Sequence, residues 1–227
     1  MPLKPILLKL SGTLFANKEA LLSVIAQIKT LHTSRSFGIV IGGGNFFRGS
    51  QHGKHLGLKQ VTADAVGMLA TNMNGLILRD LCEASGIPCL LVSANPVHGL
   101  INPIDPHVLQ NACTSRSIVI FAGGSGNPFC TTDTTAVIRA LQINASEVWK
   151  ATNVDGIYDS NPATNPQAAL LPTVSYEEYL ENKLQIMDST SITMAQEHRL
   201  AIRVFNIFAP NALLQISRNK NVGSTIS

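Results

Sequence analysis

A short apolar run passes directly into a glycine turn in the stretch Phe37-Gly-Ile-Val-Ile-Gly-Gly-Gly-Asn45. A run of about five apolar residues that ends at a turn signal is typical of a strand buried in a parallel sheet. The same pattern occurs in Ile6-Leu-Leu-Lys-Leu-Ser-Gly12 and in Ser117-Ile-Val-Ile-Phe-Ala-Gly-Gly-Ser-Gly126. Three strands that each end in a glycine turn predict an α/β sheet with these turns at its carboxyl edge.

Segments with helical periodicity lie between the strands. Asn17 is a good N-cap for a first helix, and Thr62 is predicted to cap a long second helix that Gly86 and Pro88 end. Further strands are predicted over residues 89–93 and 148–151, and another helix begins at Thr131-Thr132-Asp133. The alternation predicts a three-layer α/β/α sandwich with a mainly parallel central sheet.

The pattern changes after about residue 150. Turn signals at Asp155-Gly156 and Asn161-Pro162 predict a hairpin or loop excursion that lasts until about Pro172. Two helices, near residues 175–181 and 190–198, then lead to a strand over 202–207. A chain of 227 residues is long enough for one domain with a sizeable core, so a single domain over residues 1–227 is expected.

Composition excludes several classes of protein. With 45% hydrophobic and 14% charged residues the chain is not of the disordered type. A net charge of +3 without a basic run makes nucleic acid an unexpected partner. The apolar runs are far shorter than the ~20 residues of a membrane span, and the four cysteines match no zinc or redox pattern. A cytoplasmic protein with reduced thiols and no membrane attachment is expected.

Glycine turns at the carboxyl ends of strands favour phosphate ligands, because backbone N–H groups can approach the oxygens closely there. One such turn is commonly plain turn chemistry, but three together indicate more than one phosphate. Neither G-x-x-x-x-G-K-[ST] nor G-x-G-x-x-G occurs, which excludes the P-loop and the Rossmann fingerprint.

Three further features are candidates for the chemistry. Lys9 is a charge within an apolar strand, which is costly unless the lysine is paired or functional. Arg48 follows the second glycine turn and could clamp a phosphate or be a solvated surface residue. Asp133 lies at a predicted helix N-terminus, where capping alone would account for it.

Six motifs occur in order along nearly the whole chain. They are Ile6-Leu-Leu-Lys-Leu-Ser-Gly12, Val40-Ile-Gly-Gly-Gly-Asn-Phe-Phe-Arg-Gly49, Ala63-Asp64 with Gly67-Met-Leu-Ala-Thr71 and Met73-Asn-Gly75, Gly126-Asn-Pro-Phe-Cys-Thr-Thr-Asp133, Lys150-Ala-Thr-Asn-Val-Asp-Gly156, and Ile202-Arg-Val-Phe-Asn206. In this set and order the chain resembles the bacterial UMP kinases (uridylate kinases) of the amino-acid kinase family.

The resemblance implies transfer of the γ-phosphoryl group of ATP to UMP, with Mg²⁺ carried by the ATP. It also implies a homohexamer, inhibition by UTP, a UMP-binding part over about 1–145 and an ATP-binding part over about 146–227. This chain is short between Gly12 and Asn17 and lacks the glycine-rich loop that the family associates with GTP activation, so little or no activation by GTP is expected.

Site residues follow from the resemblance position by position. The implied catalytic residues are Lys9, Arg48 and Asp133. The implied ATP-binding residues are Lys9, Leu10, Ser11, Gly12, Gly44, Arg48, Thr152, Tyr158 and Asn161. The implied UMP-binding residues are Gly43, Asp64, Ser125, Gly126, Asn127, Pro128, Phe129, Cys130, Thr131 and Thr132, with Asp64 on the ribose.

Two alternatives remain open at the level of sequence. One is another amino-acid kinase with a carboxylate acceptor, such as an acetylglutamate kinase, against which Arg48-Gly49 and Asp64 argue. The other is a non-catalytic nucleotide-binding storage or regulatory protein of the same fold. Retention of both Lys9 and Asp133 argues for catalysis.

Overall fold

The central sheet has nine strands, and a separate two-stranded hairpin lies beyond it. A computed structural model describes residues 4–218 and 221–227. The predicted domain of residues 1–227 therefore includes residues 1–3 and 219–220, which lie outside the described residues.

Six parallel strands form the centre of the sheet. In spatial order they are β3 (Cys89–Ser93), β5 (Ile118–Ala122), β2 (Phe37–Ile41), β1 (Ile6–Leu10), β6 (Glu147–Thr152) and β10 (Ile202–Asn206). All six were predicted, although the ends of β1, β5, β6 and β10 differ from the expected ones by one residue. The mainly parallel sheet is confirmed.

Short strands complete the two edges. The strand β4 (Asn102–Pro103) pairs with β3, while β11 (Ser224–Ile226) runs antiparallel to β10 and pairs with β9 (Thr173–Val174). The predicted excursion after residue 155 is a hairpin of β7 (Ile157–Tyr158) and β8 (Leu170–Leu171). The sequence did not indicate β4, β9 or β11, because strands of two or three residues carry too little periodicity to be recognised.

Helices cover both faces of the sheet, which confirms the three layers. The first face carries α1 (Lys18–His32), α2 (Gln60–Ala84) and α7 (Ala212–Arg218). The second face carries α3 (Pro106–Thr114), α4 (Thr132–Gln142), α5 (Tyr176–Glu181) and α6 (Ser189–Glu197). Within the described part of the chain, no helix has both the length and the apolar character that a membrane span needs.

A side chain caps the start of five helices, α1, α3, α4, α5 and α6, and α2 departs from the predicted cap. The Asn17 side chain accepts the N–H of Ala20 and begins α1 as predicted. The prediction that Thr62 caps α2 is wrong, since this helix begins at Gln60 and Lys59 stands at its N-cap. Gln60 and Val61 do not break a helix, so the backbone continues beyond the threonine for another half turn.

Side chains alternate between the two cores along β1. Ile6, Leu8 and Leu10 are fully buried on the α1 and α2 side, whereas Leu7 packs on the α4 side. Because the side-chain period of a strand is two, Lys9 points to the same face as Leu7. The strand therefore directs one charge toward the N-terminus of α4.

Candidate active site

Two lysines and one aspartate meet at the carboxyl edge of the sheet. Lys9 on β1 and Lys150 on β6 are register partners, so their side chains share one face. Asp133 lies between them: its Oδ1 is 3.0 Å from Lys9 Nζ and its Oδ2 is 2.6 Å from Lys150 Nζ. The helix start that carries Asp133 is fixed by Thr131, whose hydroxyl accepts the N–H groups of Asp133 and Thr134.

This cluster holds an excess of positive charge in a buried place. Burial, and then the neighbouring charge of Lys9, lowers the pKa of Lys150 to about 8, although Asp133 opposes the shift. Burial raises the pKa of Asp133, but the two lysines outweigh it and hold that pKa below its usual range. One carboxylate between two ammonium groups leaves about one positive charge uncompensated, which suits a phosphate ligand.

The glycine turns after β1 and β2 lie directly against each other. A Cβ on Gly12 would lie 2.6 Å from the backbone nitrogen of Gly44, so a side chain does not fit there. Asn74 is fully buried on α2, and its Nδ2 donates to the carbonyl of Gly42 and to Asn45 Oδ1, both at 2.7 Å. The long helix thereby fixes the second turn against the first.

The third glycine turn follows β5 and is tied to the same helix. Gly123 and Gly124 have φ values of +72° and +58°, a left-handed conformation that glycine adopts without strain. The N–H of Gly123 donates to Thr71 Oγ1 at 2.7 Å, and Asn95 Nδ2 donates to the Gly123 carbonyl at 3.0 Å. All three turns thus stand at one edge of the sheet, as predicted.

A cleft of about 370 Å³ opens between these turns. Its lining residues include Lys9, Ser11, Gly12, Gly43, Gly44, Arg48, Asp64, Cys130, Thr131 and Thr132. The exposed Arg48 lies at the second turn, since a Cβ on Gly44 would be 3.2 Å from its Nε. The structure therefore brings together predicted residues that are more than one hundred positions apart in the sequence.

Asp64 links the start of α2 to the loop that precedes α4. Its Oδ2 accepts the N–H of Phe129 at 2.8 Å, and its Oδ1 accepts Gln60 Nε2 at 2.7 Å. Each carboxylate oxygen can accept a second hydrogen bond, so Asp64 can also receive a ribose hydroxyl. Phe129 has a left-handed φ of +65° and a side chain that is 73% exposed. Such a backbone is unusual for a bulky residue and is common at functional sites.

Some predicted residues lie near the cleft without lining it. The loop residues Ser125, Gly126, Asn127, Pro128 and Phe129 are not on its wall. Leu10 directs its side chain into the core, and its carbonyl accepts the N–H of Gly42. Any contact of Leu10 with a nucleotide therefore passes through the backbone.

Two further cavities share the segment that precedes α6. One of about 490 Å³ is lined by Tyr158, Asn161 and residues 182–186. The second, of about 610 Å³, is lined by Asp133 and by residues 183–189. Residues 183–186 line both cavities. The wall of these two cavities therefore extends from the hairpin of β7 and β8 to Asp133 of the charged cluster. Thr152 lines neither cavity, and its hydroxyl donates to Asn153 Oδ1 at 3.3 Å.

Sequence comparison agrees with this arrangement. The sequence model of the amino acid kinase family matches residues 4–206. The chain belongs to the amino acid kinase family.

Individual relatives within the amino acid kinase family are similar over nearly the whole chain. The chain is 42% identical over 229 residues to the uridylate kinase of Pseudoalteromonas atlantica, covering 97% of this chain and 92% of that protein. It is 41% identical over 231 residues to the uridylate kinase of Haemophilus influenzae, covering 98% and 97%. The crystal structure of UMP kinase from Ureaplasma parvum superposes with a TM-score of 0.94 at 31% identity and covers 100% of both chains.

The sequence did not identify one basic and one acidic residue of this amino acid kinase site. Lys150 was not singled out, although it is a charge within the buried strand β6 and gives the same signal as Lys9. Asp188 was also missed. It is the N-cap of α6, and it accepts the hydroxyls of Thr131 at 2.5 Å and Thr134 at 2.8 Å. Asp188 therefore holds the start of α4, and an isolated N-cap aspartate carries no sequence signal for that role.

Proposed function

We propose that this amino acid kinase is a UMP kinase, which transfers the γ-phosphoryl group of ATP to UMP and releases UDP and ADP in pyrimidine nucleotide synthesis. The cluster of Lys9, Asp133 and Lys150 is the observation that carries the proposal. Lys9 lines the 370 Å³ cleft and Asp133 lines the 610 Å³ cavity, so the cluster stands where two ligands would meet. Identity of about 40% to uridylate kinases supports UMP as the acceptor.

In the proposed reaction an oxygen of the UMP phosphate bonds to the γ-phosphorus as the bond to the β-phosphate oxygen breaks. This step needs alignment and charge neutralisation rather than a protein nucleophile. Lys9 neutralises the group in transfer, and the N–H groups near Gly12 and Gly44 hold the phosphates. Asp133 orients both lysines, since it contacts each of them.

The acceptor and donor assignments rest on the two sides of this cluster. We assign UMP to the cleft, with Gly43 on its phosphate and Asp64 on its ribose, because both line the cleft. Arg48, which lines it too, is assigned to the ATP phosphates near the point of transfer. We assign the ATP nucleoside to the side of Tyr158 and Asn161, because they line the cavity beyond Asp133. These assignments also account for the residues 183–186 that line both of the cavities on the ATP side.

We propose that Mg²⁺ reaches the site as the Mg²⁺ complex of ATP. Within the described residues no group of three His, Cys, Asp or Glu side chains could hold an ion, and both oxygens of Asp133 face lysines. Bound to ATP, the ion neutralises charge on the β- and γ-phosphates. Lys9 and Lys150 supply the remaining positive charge from the protein side.

Measurement of ADP release tests the proposed function. The enzyme is supplied with ATP and Mg²⁺ together with UMP, CMP, acetylglutamate or no acceptor. We expect UMP to be used at least about 10-fold faster than the others. Preference for acetylglutamate would establish the carboxylate-acceptor alternative. If none of the three acceptors increased ADP release, the storage or regulatory alternative would hold. Neither alternative is favoured by the uridylate kinase relatives.

The lowered pKa of Lys150 predicts that stability and kcat/KM for ATP depend on pH. Its pKa of about 8 lies below the ordinary lysine value, so its charged form costs stability below pH 8, and this cost is relieved as the pH rises toward 10.5. In the free enzyme the lysine also loses its charge above pH 8. We therefore expect kcat/KM for ATP to fall as the pH rises through about 8. Lys150→Arg should keep its charge and lack this decline, and an unchanged pH profile in that variant would contradict the assignment.

We propose a homohexamer. One face of α2 exposes Leu69, Met73 and Ile77, whose spacing of four residues places them in one stripe. We expect light scattering at micromolar concentration to give six times the chain mass of 24.3 kDa. Met73→Lys should reduce the number of subunits per particle, while Lys18→Glu on α1 should leave it unchanged. A monomeric wild-type protein would contradict the prediction.

UTP inhibition and a cytoplasmic location belong to the same proposal. UTP shares its nucleoside with UMP, so it can compete for the cleft that contains Asp64.

The chain lacks a glycine-rich segment after Gly12, where residues 12–16 form a short 3₁₀ helix. Weak or absent activation by GTP stays our prediction.

A further inference from the structure

Arg139 on α4 is a buried cation for which the described residues provide no carboxylate. It is only 5% exposed, and its guanidinium lies 5.8 Å from the centre of the Phe121 ring. Nη1 donates to Gln142 Oε1 at 2.8 Å and Nη2 donates to the carbonyl of Gly124 at 3.2 Å, while Nε has no hydrogen-bond partner. A buried charge without an ionic partner is costly, so a structural role alone accounts poorly for an arginine here.

The carbonyl that Arg139 binds belongs to the third glycine turn. The preceding carbonyl, of Gly123, is held by Asn95 Nδ2 at 3.0 Å. In a trans peptide the N–H points opposite to the C=O, so these two contacts also set the direction of the N–H groups of Gly124 and Ser125. Neither N–H donates a hydrogen bond to any residue that the structure describes.

Backbone N–H groups of a turn that have no partner within the protein can bind an electronegative atom. Gly123 and Gly124 both have a positive φ in this turn, and Gly124 lines the 370 Å³ cleft. The guanidinium of Arg139 stands behind the turn, one hydrogen bond from Gly124. Its positive charge strengthens the attraction of that turn for an oxygen in the cleft.

We propose that Arg139 is a positioning residue of the acceptor site, which together with Asn95 presents the two peptide groups that flank Gly124, a residue of the cleft wall, to an oxygen of the bound UMP. This inference rests on the proposed function, because it takes the cleft to be the UMP site. Arg139 itself does not touch the nucleotide. It acts through the peptide groups that it holds.

The test compares substrate KM values of Arg139→Met with those of a matched control. Arg203 on β10 is also 5% exposed, and its Nη1 donates to the carbonyl of Ile216 at 2.8 Å, but it lines no part of the cleft. We expect Arg139→Met to raise KM for UMP at least about 10-fold, with KM for ATP within about 2-fold of wild type. Arg203→Met should lower the melting temperature and leave both KM values within about 2-fold.

Two milder variants keep the inference testable if Arg139→Met does not fold. Arg139→Lys keeps the charge but loses the forked geometry of the guanidinium group. Asn95→Ala removes the hydrogen bond to the Gly123 carbonyl and a 3.5 Å contact with Met68 Sδ. Both should raise KM for UMP selectively. An unchanged KM for UMP in these variants overturns the inference, as does an equal rise for both substrates. If the wild-type enzyme uses another acceptor instead of UMP, the proposed function is wrong, and the same KM comparison with that acceptor decides the role of Arg139.

Discussion

Replacing Lys9 by alanine is expected to lower kcat at least about 100-fold while UMP still binds. Lys9 is the lysine that lines the acceptor cleft, and its ammonium group is 3.0 Å from Asp133. Removal of a positioned charge next to the group in transfer costs about 3 kcal/mol of transition-state stabilisation. Steady-state ADP release gives kcat, and calorimetric titration gives UMP binding.

The matched control for Lys9 is Lys18→Ala. Lys18 is an exposed lysine at the start of α1 and lines no part of the cleft. We expect it to retain wild-type kcat. A Lys9→Ala enzyme with kcat near the wild-type value would show that this lysine does not neutralise the transferred group.

Asp133→Asn is expected to lower kcat at least about 100-fold and also to reduce stability. The carboxylate separates two buried ammonium groups, and its loss leaves Lys9 and Lys150 as unpaired neighbours of like charge. Breaking a buried ion pair by removing one partner costs about 3–5 kcal/mol. Urea unfolding measures the change in the free energy of unfolding, and the ADP assay measures kcat.

A double variant separates the two effects of Asp133. In Asp133→Asn with Lys150→Met one buried charge is removed with its partner, so we expect part of the lost stability to return while kcat stays low. If the double variant unfolds as easily as Asp133→Asn alone, repulsion between the lysines is not the cause of the instability. If Asp133→Asn retains more than about a tenth of wild-type kcat, Asp133 does not organise the lysines for catalysis.

The central strands could be predicted because they are buried on both faces. The run Phe37–Ile41 is continuously apolar and ends in glycines, and the structure places β2 at these residues. The helix α1 was equally clear, because the Asn17 cap and the apolar period agree. The sequence did not indicate α3, whose residues are mostly exposed, or the antiparallel β11, whose place depends on β10 rather than on its own three residues.

The site could be predicted in part. Lys9 was found because a charge in an apolar strand needs a reason, and the same argument applied to Val148-Trp149-Lys150-Ala151 would have identified Lys150. The contact of Lys150 with Asp133 depends on the sheet order, which places β6 beside β1. Arg139 and Asp188 could not be recognised, since their roles come from contacts with peptide groups and hydroxyls of distant segments.

The place of β1 between β2 and β6 also affects the order in which the protein can fold during its synthesis. The strand β2 ends at residue 41, but β6 begins only at residue 147. At a ribosomal rate of about 5–20 residues per second, β1 has one paired edge and one open edge for roughly 5–20 s. An open edge on an apolar strand can pair with other chains, so the nascent protein passes through a period in which it is prone to aggregate.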